Sequence, residues 1–177
     1  MTNDAESATA FLDAHPAVVC KPLYSGRVPD DDDTSRLFFT SLLDDEARKA
    51  VTQLGPEPYL FQEHVEKRYD VRVTIVGDEV FAVRIGSQDV EDARVDWRKA
   101  ATATLNHTIE KLPDQVAARL LALIADYGLS FAAIDLAIRP DGSYVFFEVN
   151  PNGQWAWVEQ LTGLPLRARL ADLLLAA

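Results

Sequence analysis

The fold is decided by residues 134–150, which read Ile134-Asp135-Leu136-Ala137-Ile138-Arg139-Pro140-Asp141-Gly142-Ser143-Tyr144-Val145-Phe146-Phe147-Glu148-Val149-Asn150. Asp141-Gly142 is a favoured two-residue turn, so this stretch predicts a β-hairpin with strands over 131–139 and 144–150. Pairing Pro140 with Ser143 fixes the register of the whole hairpin. Counting outward from that turn pairs position 139 with 144, 137 with 146, and Asp135 with Glu148.

The pairing of Asp135 with Glu148 brings two carboxylates face to face. Side chains two apart on a strand share a face, so Asn150 points the same way. Carboxylates with Cβ atoms roughly 5 Å apart repel each other unless a positive charge lies between them. Magnesium prefers oxygen ligands and commonly takes one or two carboxylates. We therefore predict a magnesium site at Asp135, Glu148 and Asn150; the alternative is a surface hairpin whose acids face water.

A lysine ends the apolar run over 17–20. Lys21 precedes Pro22, which forces an extended backbone, and a lysine at the end of a buried strand can reach into a cleft. The loop over 24–26 follows and can bring backbone N–H groups near phosphates. Lys21 is thus a candidate phosphate ligand, with a purely structural lysine as the alternative.

A second hairpin is predicted from the segments 71–76 and 80–85, which alternate apolar and polar residues around the loop 77–79. With those three residues in the loop, Arg72 faces Arg84 across the hairpin. The other face of both strands is then uniformly apolar.

Two opposed arginines need an anion nearby. A ligand phosphate would serve, and so would a carboxylate such as Asp70 or Glu63, and both readings stay open at this stage. Arg98, in the segment Asp96-Trp97-Arg98, is a third candidate cation in a loop.

The composition limits the class of protein. The chain has 177 residues, 48% of them hydrophobic, which is enough for one domain or two small lobes with a real core. Its net charge of -11 argues against non-specific nucleic-acid binding. No apolar run approaches the roughly 20 residues that span a bilayer, and the acidic start is unlike a signal peptide. The single cysteine, Cys20, fits a reducing cytoplasm and also many other compartments. We expect a soluble cytoplasmic protein without membrane or nucleic-acid partners.

The rest of the chain mixes helices with antiparallel strands. Helical spacing marks four segments: 4–14, 44–54, 113–127 and the residues from 155 onward, broken near Gly163 and Pro165. Further strands are predicted at 17–21 and 59–65. Loops are predicted at 25–34, with its four consecutive aspartates, and at 86–110. This order predicts the α+β class.

These segments, in this order, resemble the ATP-grasp superfamily over nearly the whole chain. Residues 18–23 resemble the strand that carries the phosphate-binding lysine, and residues 61–65 resemble the adenine-binding hinge. Residues 70–73 and 76–82 resemble the next hairpin, and residues 146–153 resemble the magnesium-binding strand with its exit loop. The motifs Gln-Glu-His-Val, Val-Phe-Ala and Asn-Pro-Asn-Gly-Gln-Trp are most similar to the peptide maturases that make ester- and amide-crosslinked peptides, called graspetide or microviridin-type ligases. Ribosomal-protein glutamate ligases are the nearest relatives of that group.

The resemblance implies an ATP-grasp fold portion with a nucleotide cleft between two lobes, ATP and Mg²⁺ as cofactors, and a role for each matching residue. Residues 1–65 would belong to the central lobe and 66–177 to the C-terminal lobe. Lys21 would contact the phosphates. The adenine would be lined by Glu63, His64 and Val65, and Asp70 would contact the ribose. Arg72 and Arg98 are the catalytic candidates, Arg98 matching an arginine that contacts phosphate or the acyl phosphate. The magnesium ligands would be Asp135, Glu148 and Asn150.

The implied reaction passes the ATP γ-phosphoryl group to a carboxylate, and an amine or hydroxyl then attacks the acyl phosphate. In the peptide maturases both groups are side chains of a precursor peptide. Two alternatives stay open: a glutamate-adding or small-molecule ligase, and a truncated module that binds nucleotide or peptide without turnover.

One departure from the family concerns the start of the chain. Family members usually begin with an N-terminal domain, whereas this chain starts just before the Lys21 strand, so a second nucleotide lysine expected upstream is absent. We therefore expect the isolated chain to be catalytically incompetent, because an activated carboxylate open to water hydrolyses. We also expect an exposed apolar edge and self-association into a homo-oligomer.

Overall fold

The structure is a computed structural model that describes residues 1–21, 23, 27–29 and 35–176, with the backbone alone at 27–29 and 35–37. It divides into two compact units, Met1–Val65 and Glu66–Ala177. The predictions for Pro22, for the loop at 24–26 and for the acidic run at 30–33 lie outside the described residues.

The first unit contains a three-stranded antiparallel sheet and two helices. Its elements in chain order are α1 (Ala5–Ala14), β1 (Val18–Lys21), β2 (Arg27–Pro29), β3 (Ser35–Leu37), β4 (Ser41–Leu42), α2 (Asp45–Ala50) and β5 (Leu60–Glu63). The sheet order is β4-β1-β5, and β2 pairs separately with β3. The prediction of a loop over 25–34 is therefore wrong at 27–29, which form strand β2. The helix predicted over 44–54 ends as an α-helix at Ala50 and continues as a 3-10 turn over Val51–Gln53.

Helix α1 is fixed by its cap and by its apolar side. Asp4 is the N-cap, and its side chain accepts a 2.8 Å hydrogen bond from the Ser7 N–H. Leu12 is buried in one cluster with Val18 of β1 and Phe61 of β5. Because Val18 and Phe61 pack in the same small core, this packing positions strand β1, which ends at Lys21, and strand β5.

The second unit is built on a five-stranded antiparallel sheet. Its elements are β6 (Tyr69–Val76), β7 (Glu79–Ile85), β8 (His107–Glu110), α3 (Asp114–Asp126), β9 (Phe131–Ile138), β10 (Tyr144–Asn150), α4 (Ala156–Thr162) and α5 (Leu166–Ala176). The strand order is β10-β9-β6-β7-β8. Strand β8 and four 3-10 turns lie in the segment 86–110, which the sequence predicted as irregular, so that prediction is wrong at 107–110. The predicted α+β class is confirmed.

The two faces of this sheet differ in chemistry. Alternate residues of β6 and β9, such as Val73 and Ile134, pack in one buried cluster with Leu120 and Ile124 of α3. Residues between them point to the opposite face, because side chains alternate along a strand. That opposite face carries Arg72 of β6 and Asp135 of β9. No helix in the described part of the chain has both the length and the apolar character needed to cross a membrane.

Candidate active site

Strands β9 and β10 pair Asp135 directly with Glu148, as predicted. The register near the turn is different. Tyr144 pairs with Ile138 and Phe146 with Leu136, so the predicted pairs 139–144 and 137–146 are wrong. A β-bulge between Phe146 and Glu148 shifts the register by one residue.

The turn explains that shift. The Arg139 N–H donates to the Ser143 carbonyl at 2.9 Å, and Gly142 has a φ of 84°. The loop therefore has three residues, 140–142, with glycine in the left-handed conformation, and the predicted pairing of Pro140 with Ser143 is wrong. The three-residue loop shifts the pairing of β9 with β10 by one residue from the predicted register. The bulge between Phe146 and Glu148 restores the predicted register, so that Asp135 pairs with Glu148.

The electrostatics of Asp135 reflect its neighbours. Burial raises the pKa of Asp135 above its usual range, the positive charge of Arg72 opposes that rise, and the negative charge of Glu148 adds to it. Glu148 and Asn150 are exposed, and the Asn150 side-chain oxygen accepts a 2.9 Å hydrogen bond from the Asn152 N–H. Two carboxylates and an amide oxygen on one face fit a hard divalent cation in donor chemistry. Their role as magnesium ligands stays a prediction.

Strands β6 and β7 place Arg72 and Arg84 on opposite faces of the sheet. Val76 pairs with Glu79, so the loop is the two residues Gly77 and Asp78, not three. Arg72 then pairs with Val83 and Arg84 with Val71. The predicted opposition of the two arginines is wrong, because a one-residue change of register turns each side chain to the other face.

Arg72 instead forms an ion pair with Asp135, its partner on β9. Its Nε donates to Asp135 Oδ1 at 2.9 Å and its Nη2 to Oδ2 at 3.3 Å. Its Nη1 donates to the Gln154 carbonyl at 3.4 Å. Arg72 is buried, so this two-point contact holds the guanidinium in a fixed plane. The anion that the sequence placed at Asp70, Glu63 or a phosphate is thus Asp135.

Asp70 lies in a different buried pair. Lys67 Nζ donates to Asp70 Oδ1 at 2.8 Å and to the Val95 carbonyl at 3.1 Å. Burial raises the pKa of Asp70, and the charge of Lys67 opposes the rise. Lys67 was not predicted as a site residue; the available signal was its position three residues before Asp70 and two before the start of β6. The predicted ribose contact of Asp70 stays a prediction.

Arg98 lies in the 3-10 turn Trp97–Lys99 and is held by Asp96. Arg98 Nε and Nη2 donate to the two carboxylate oxygens of Asp96 at 2.8 and 2.7 Å. These bonds raise the pKa of Arg98, and the charges of Glu148 and Asp135 raise it further. Its side chain is 51% exposed whereas that of Asp96 is 4% exposed. The fold thus brings Arg98 within electrostatic reach of two of the three predicted magnesium ligands, Asp135 and Glu148. Asp96 is a positioning residue that the sequence did not predict.

The predicted nucleotide residues of the first unit lie on β1 and at the end of β5. Lys21 pairs with Leu60, and Glu63 pairs with Val18, so Lys21 and Glu63 lie at opposite ends of the same strand pair. His64 continues that pairing, because its N–H donates to the Ala17 carbonyl at 2.9 Å. Glu63 is exposed, and Val65 is half-buried. Their roles stay predictions.

Comparisons with known proteins agree on one family. The sequence matches the RimK-like ATP-grasp domain over residues 40–174. The fold is similar to that of a Chryseobacterium gregarium RiPP-associated ATP-grasp ligase in complex with ADP and a leader and core peptide, with a TM-score of 0.91, 30% identity, and coverage of 99% of this chain and 53% of that chain. It is also similar to the macrocyclase MdnC of Microcystis aeruginosa bound with precursor peptide MdnA, with a TM-score of 0.84, 30% identity, and coverage of 99% and 55%.

Among curated proteins, human N-acetylaspartylglutamate synthase A is 33% identical over 119 residues, which are 65% of this chain and 29% of that protein. The chain therefore spans about half the length of the solved structures and less than a third of the curated relative that it matches.

Proposed function

The chain belongs to the RimK-like ATP-grasp family, and from this premise we propose that it acts as an ATP-dependent ligase that crosslinks side chains of a ribosomal precursor peptide. The observation that carries the proposal is a cluster of two carboxylates and two arginines. Asp135 pairs with Glu148 across the strands and is hydrogen-bonded to Arg72, and the charges of both carboxylates raise the pKa of Arg98. The peptide substrate is supported by the two similar solved structures, each of which contains a peptide.

The reaction needs two successive transfers. A carboxylate oxygen attacks the γ-phosphorus of ATP, the bond from that phosphorus to the bridging oxygen breaks, and ADP leaves. An amine or hydroxyl then attacks the acyl carbon, loses its proton, and releases inorganic phosphate. The products are ADP, phosphate and one new amide or ester bond.

The charge balance of the site supports the proposal that a metal ion binds there. Arg72 and Arg98 face three carboxylates, those of Asp96, Asp135 and Glu148. A polyanion meets a net negative charge there unless a cation is added. Asp135, Glu148 and Asn150 would hold magnesium, which neutralises charge on the phosphates when bound. Arg98 would then offer its exposed guanidinium to the transferred phosphoryl group or to the acyl phosphate, and Arg72 would hold Asp135 ionised and oriented.

We propose that Lys21, Glu63, His64, Val65 and Asp70 make the nucleotide contacts. On the β1–β5 pair, Lys21 and Glu63 are three strand positions apart, which is about 10 Å at the usual rise per residue. That separation suits contacts to the phosphates by Lys21 and to the adenine by Glu63, His64 and Val65. Asp70 would contact the ribose. We assign 1–65 to the central lobe and 66–177 to the C-terminal lobe of the ATP-grasp fold on the same grounds.

The test is peptide-dependent turnover. The chain, ATP and magnesium would be incubated with candidate peptides rich in Asp, Glu, Lys, Ser and Thr, with ADP formation and peptide mass as readouts. On this proposal the chain itself turns over, contrary to the incompetence that the sequence led us to expect: ADP forms together with the loss of one water mass per bond, and neither occurs with Glu148→Gln. ADP formation that depends on free glutamate and leaves every peptide unchanged would favour the glutamate-adding ligase, which the human relative supports.

The remaining assignments follow from the same proposal. We propose a cytoplasmic location, a homo-oligomeric state, and neither nucleic acid nor membrane as partner. The oligomeric state is measured by analytical ultracentrifugation of the purified chain, where a monomer at all concentrations would contradict it.

A further inference from the structure

Two tryptophan rings lie against the Arg72 guanidinium. The guanidinium carbon is 5.6 Å from the ring centroid of Trp97 and 5.7 Å from that of Trp157. Both distances are within the range of cation–π attraction, which is strongest for tryptophan and for a cation removed from water. We call Trp97 and Trp157 the tryptophan clamp.

Separate segments bring the clamp together. Trp97 precedes Arg98 in its 3-10 turn and is buried in a cluster with Ile85 and Leu105. Trp157 lies in the first turn of α4 and packs against Trp97 with the ring centroids 5.3 Å apart. The ring of His107 on β8 meets Trp157 edge-on at 5.5 Å. The Trp157 ring is thus fixed from two sides.

The exit loop after β10 adds a third support to Arg72. Gly153 lies so close to β9 that an added Cβ atom would be 2.3 Å from the Cβ of Ala133. This close approach holds the loop on the sheet, where the next residue, Gln154, accepts the hydrogen bond from Arg72 Nη1. Helix α4 and Trp157 follow directly, so the exit loop sets the positions of the carbonyl and of one clamp ring.

We propose that Trp97 and Trp157 are positioning residues of the ligase site, which hold the Arg72 guanidinium edge-on to Asp135; this inference rests on the proposed function. A long arginine side chain has many rotamers, and a ligand anion or metal beside Asp135 changes the charge that Arg72 feels. The clamp keeps Arg72 in one rotamer throughout. Asp135 then keeps its orientation toward Glu148, and catalysis depends on that geometry more than nucleotide affinity does.

A pair of matched variants separates positioning from packing. Trp155 is the N-cap of α4 and, like Trp157, packs against the cluster of Val158 and Leu166. The described contacts of Arg72 do not include Trp155. We expect Trp157→Leu to lower kcat about tenfold or more while the KM for ATP changes by less than about twofold. Trp157→Phe keeps an aromatic face and should recover most of kcat. Trp155→Leu should lower the urea unfolding midpoint comparably and leave kcat near that of the unchanged protein. Equal losses of kcat in Trp155→Leu and Trp157→Leu would overturn the inference.

A double-mutant cycle tests the clamp without turnover. The shift in urea unfolding midpoint caused by Trp157→Leu would be measured in the unchanged chain and in the Arg72→Met background. We expect a clearly smaller shift when Arg72 is absent, and the same cycle with Trp155→Leu should be additive. Additive shifts for Trp157→Leu would overturn the clamp. If the folded chain forms no ADP with any substrate, the proposed function fails, while this cycle still decides whether the clamp holds Arg72.

Discussion

Glu148 lies directly across from Asp135, and its negative charge helps to raise the pKa of Asp135. Glu148→Gln removes that repulsion. Without magnesium we expect it to raise the free energy of unfolding by about 0.2–1 kcal/mol, the usual range for a cross-strand pair. Adding magnesium and ATP should then stabilise the unchanged chain and leave the variant almost unaffected. Urea unfolding with EDTA and with the metal measures both effects, and a variant less stable than the unchanged chain in EDTA would contradict this electrostatic explanation.

The raised pKa of Asp135 leads to a prediction of how metal binding depends on pH. Burial first, and then Glu148, raise its folded-state pKa above the usual value of 3.8, against the opposing effect of Arg72. The protonated form is therefore favoured by folding, and this contribution to stability is present at low pH and lost as the pH rises through the raised pKa. Magnesium requires the ionised form, so we expect its stabilising effect to fade on acidification already above the usual carboxyl range. Thermal unfolding with and without magnesium across pH measures this, and a loss only below the usual pKa would contradict it.

Lys21 is the predicted phosphate ligand at the end of β1. Lys21→Ala removes a positive charge that adenosine does not use. We expect ATP affinity to fall about tenfold or more, as for loss of a charged hydrogen bond, and adenosine affinity to change little. Calorimetric titration with both ligands measures the difference, and equal losses would indicate a folding defect instead.

At the scale of elements, the two hairpins show what the sequence could and could not predict. Both were correctly located, because Asp141-Gly142 and Gly77-Asp78 are strong turn signals. Their registers were each off by one residue near the turn, because the same turn residues fit loops of two or three. The pairing of Asp135 with Glu148 was nevertheless right, since a bulge before Glu148 compensates the longer loop. Nothing in the sequence marks that bulge.

Gly153 is where the exit loop touches the sheet. Gly153→Ala would place a Cβ atom 2.3 Å from that of Ala133, so the loop must shift. We expect a loss of about 1–3 kcal/mol in the free energy of unfolding, typical of overpacking. Ala133→Gly removes the opposing methyl group, so the double variant Ala133→Gly, Gly153→Ala should recover part of the loss. Urea unfolding of the single and double variants measures this, and strictly additive losses would show that the two residues are not in contact.

At the scale of the whole chain, the site is made by contacts that the sequence does not signal locally. Arg72 and Asp135 are 63 residues apart, and Arg72 and Gln154 are 82 apart. Residue patterns predicted the pairing of Asp135 with Glu148, which the structure contains. The divalent metal at that pair and the roles of Lys21 and Arg98 stay predictions. The counter-anion of Arg72 was missed, because one step of register decides which strand neighbour the side chain meets.

The most direct test is the effect of magnesium on nucleotide binding. ATP would be titrated calorimetrically into the unchanged chain and into Glu148→Gln, each with magnesium and with EDTA, after confirming that both are folded. If Asp135, Glu148 and Asn150 hold the metal against the phosphates, magnesium should tighten ATP binding to the unchanged chain by about tenfold or more. Glu148→Gln should lose most of that gain and keep its affinity in EDTA. Equal affinities with and without magnesium, or the same gain in both proteins, would contradict a metal-assisted ligase site at this hairpin.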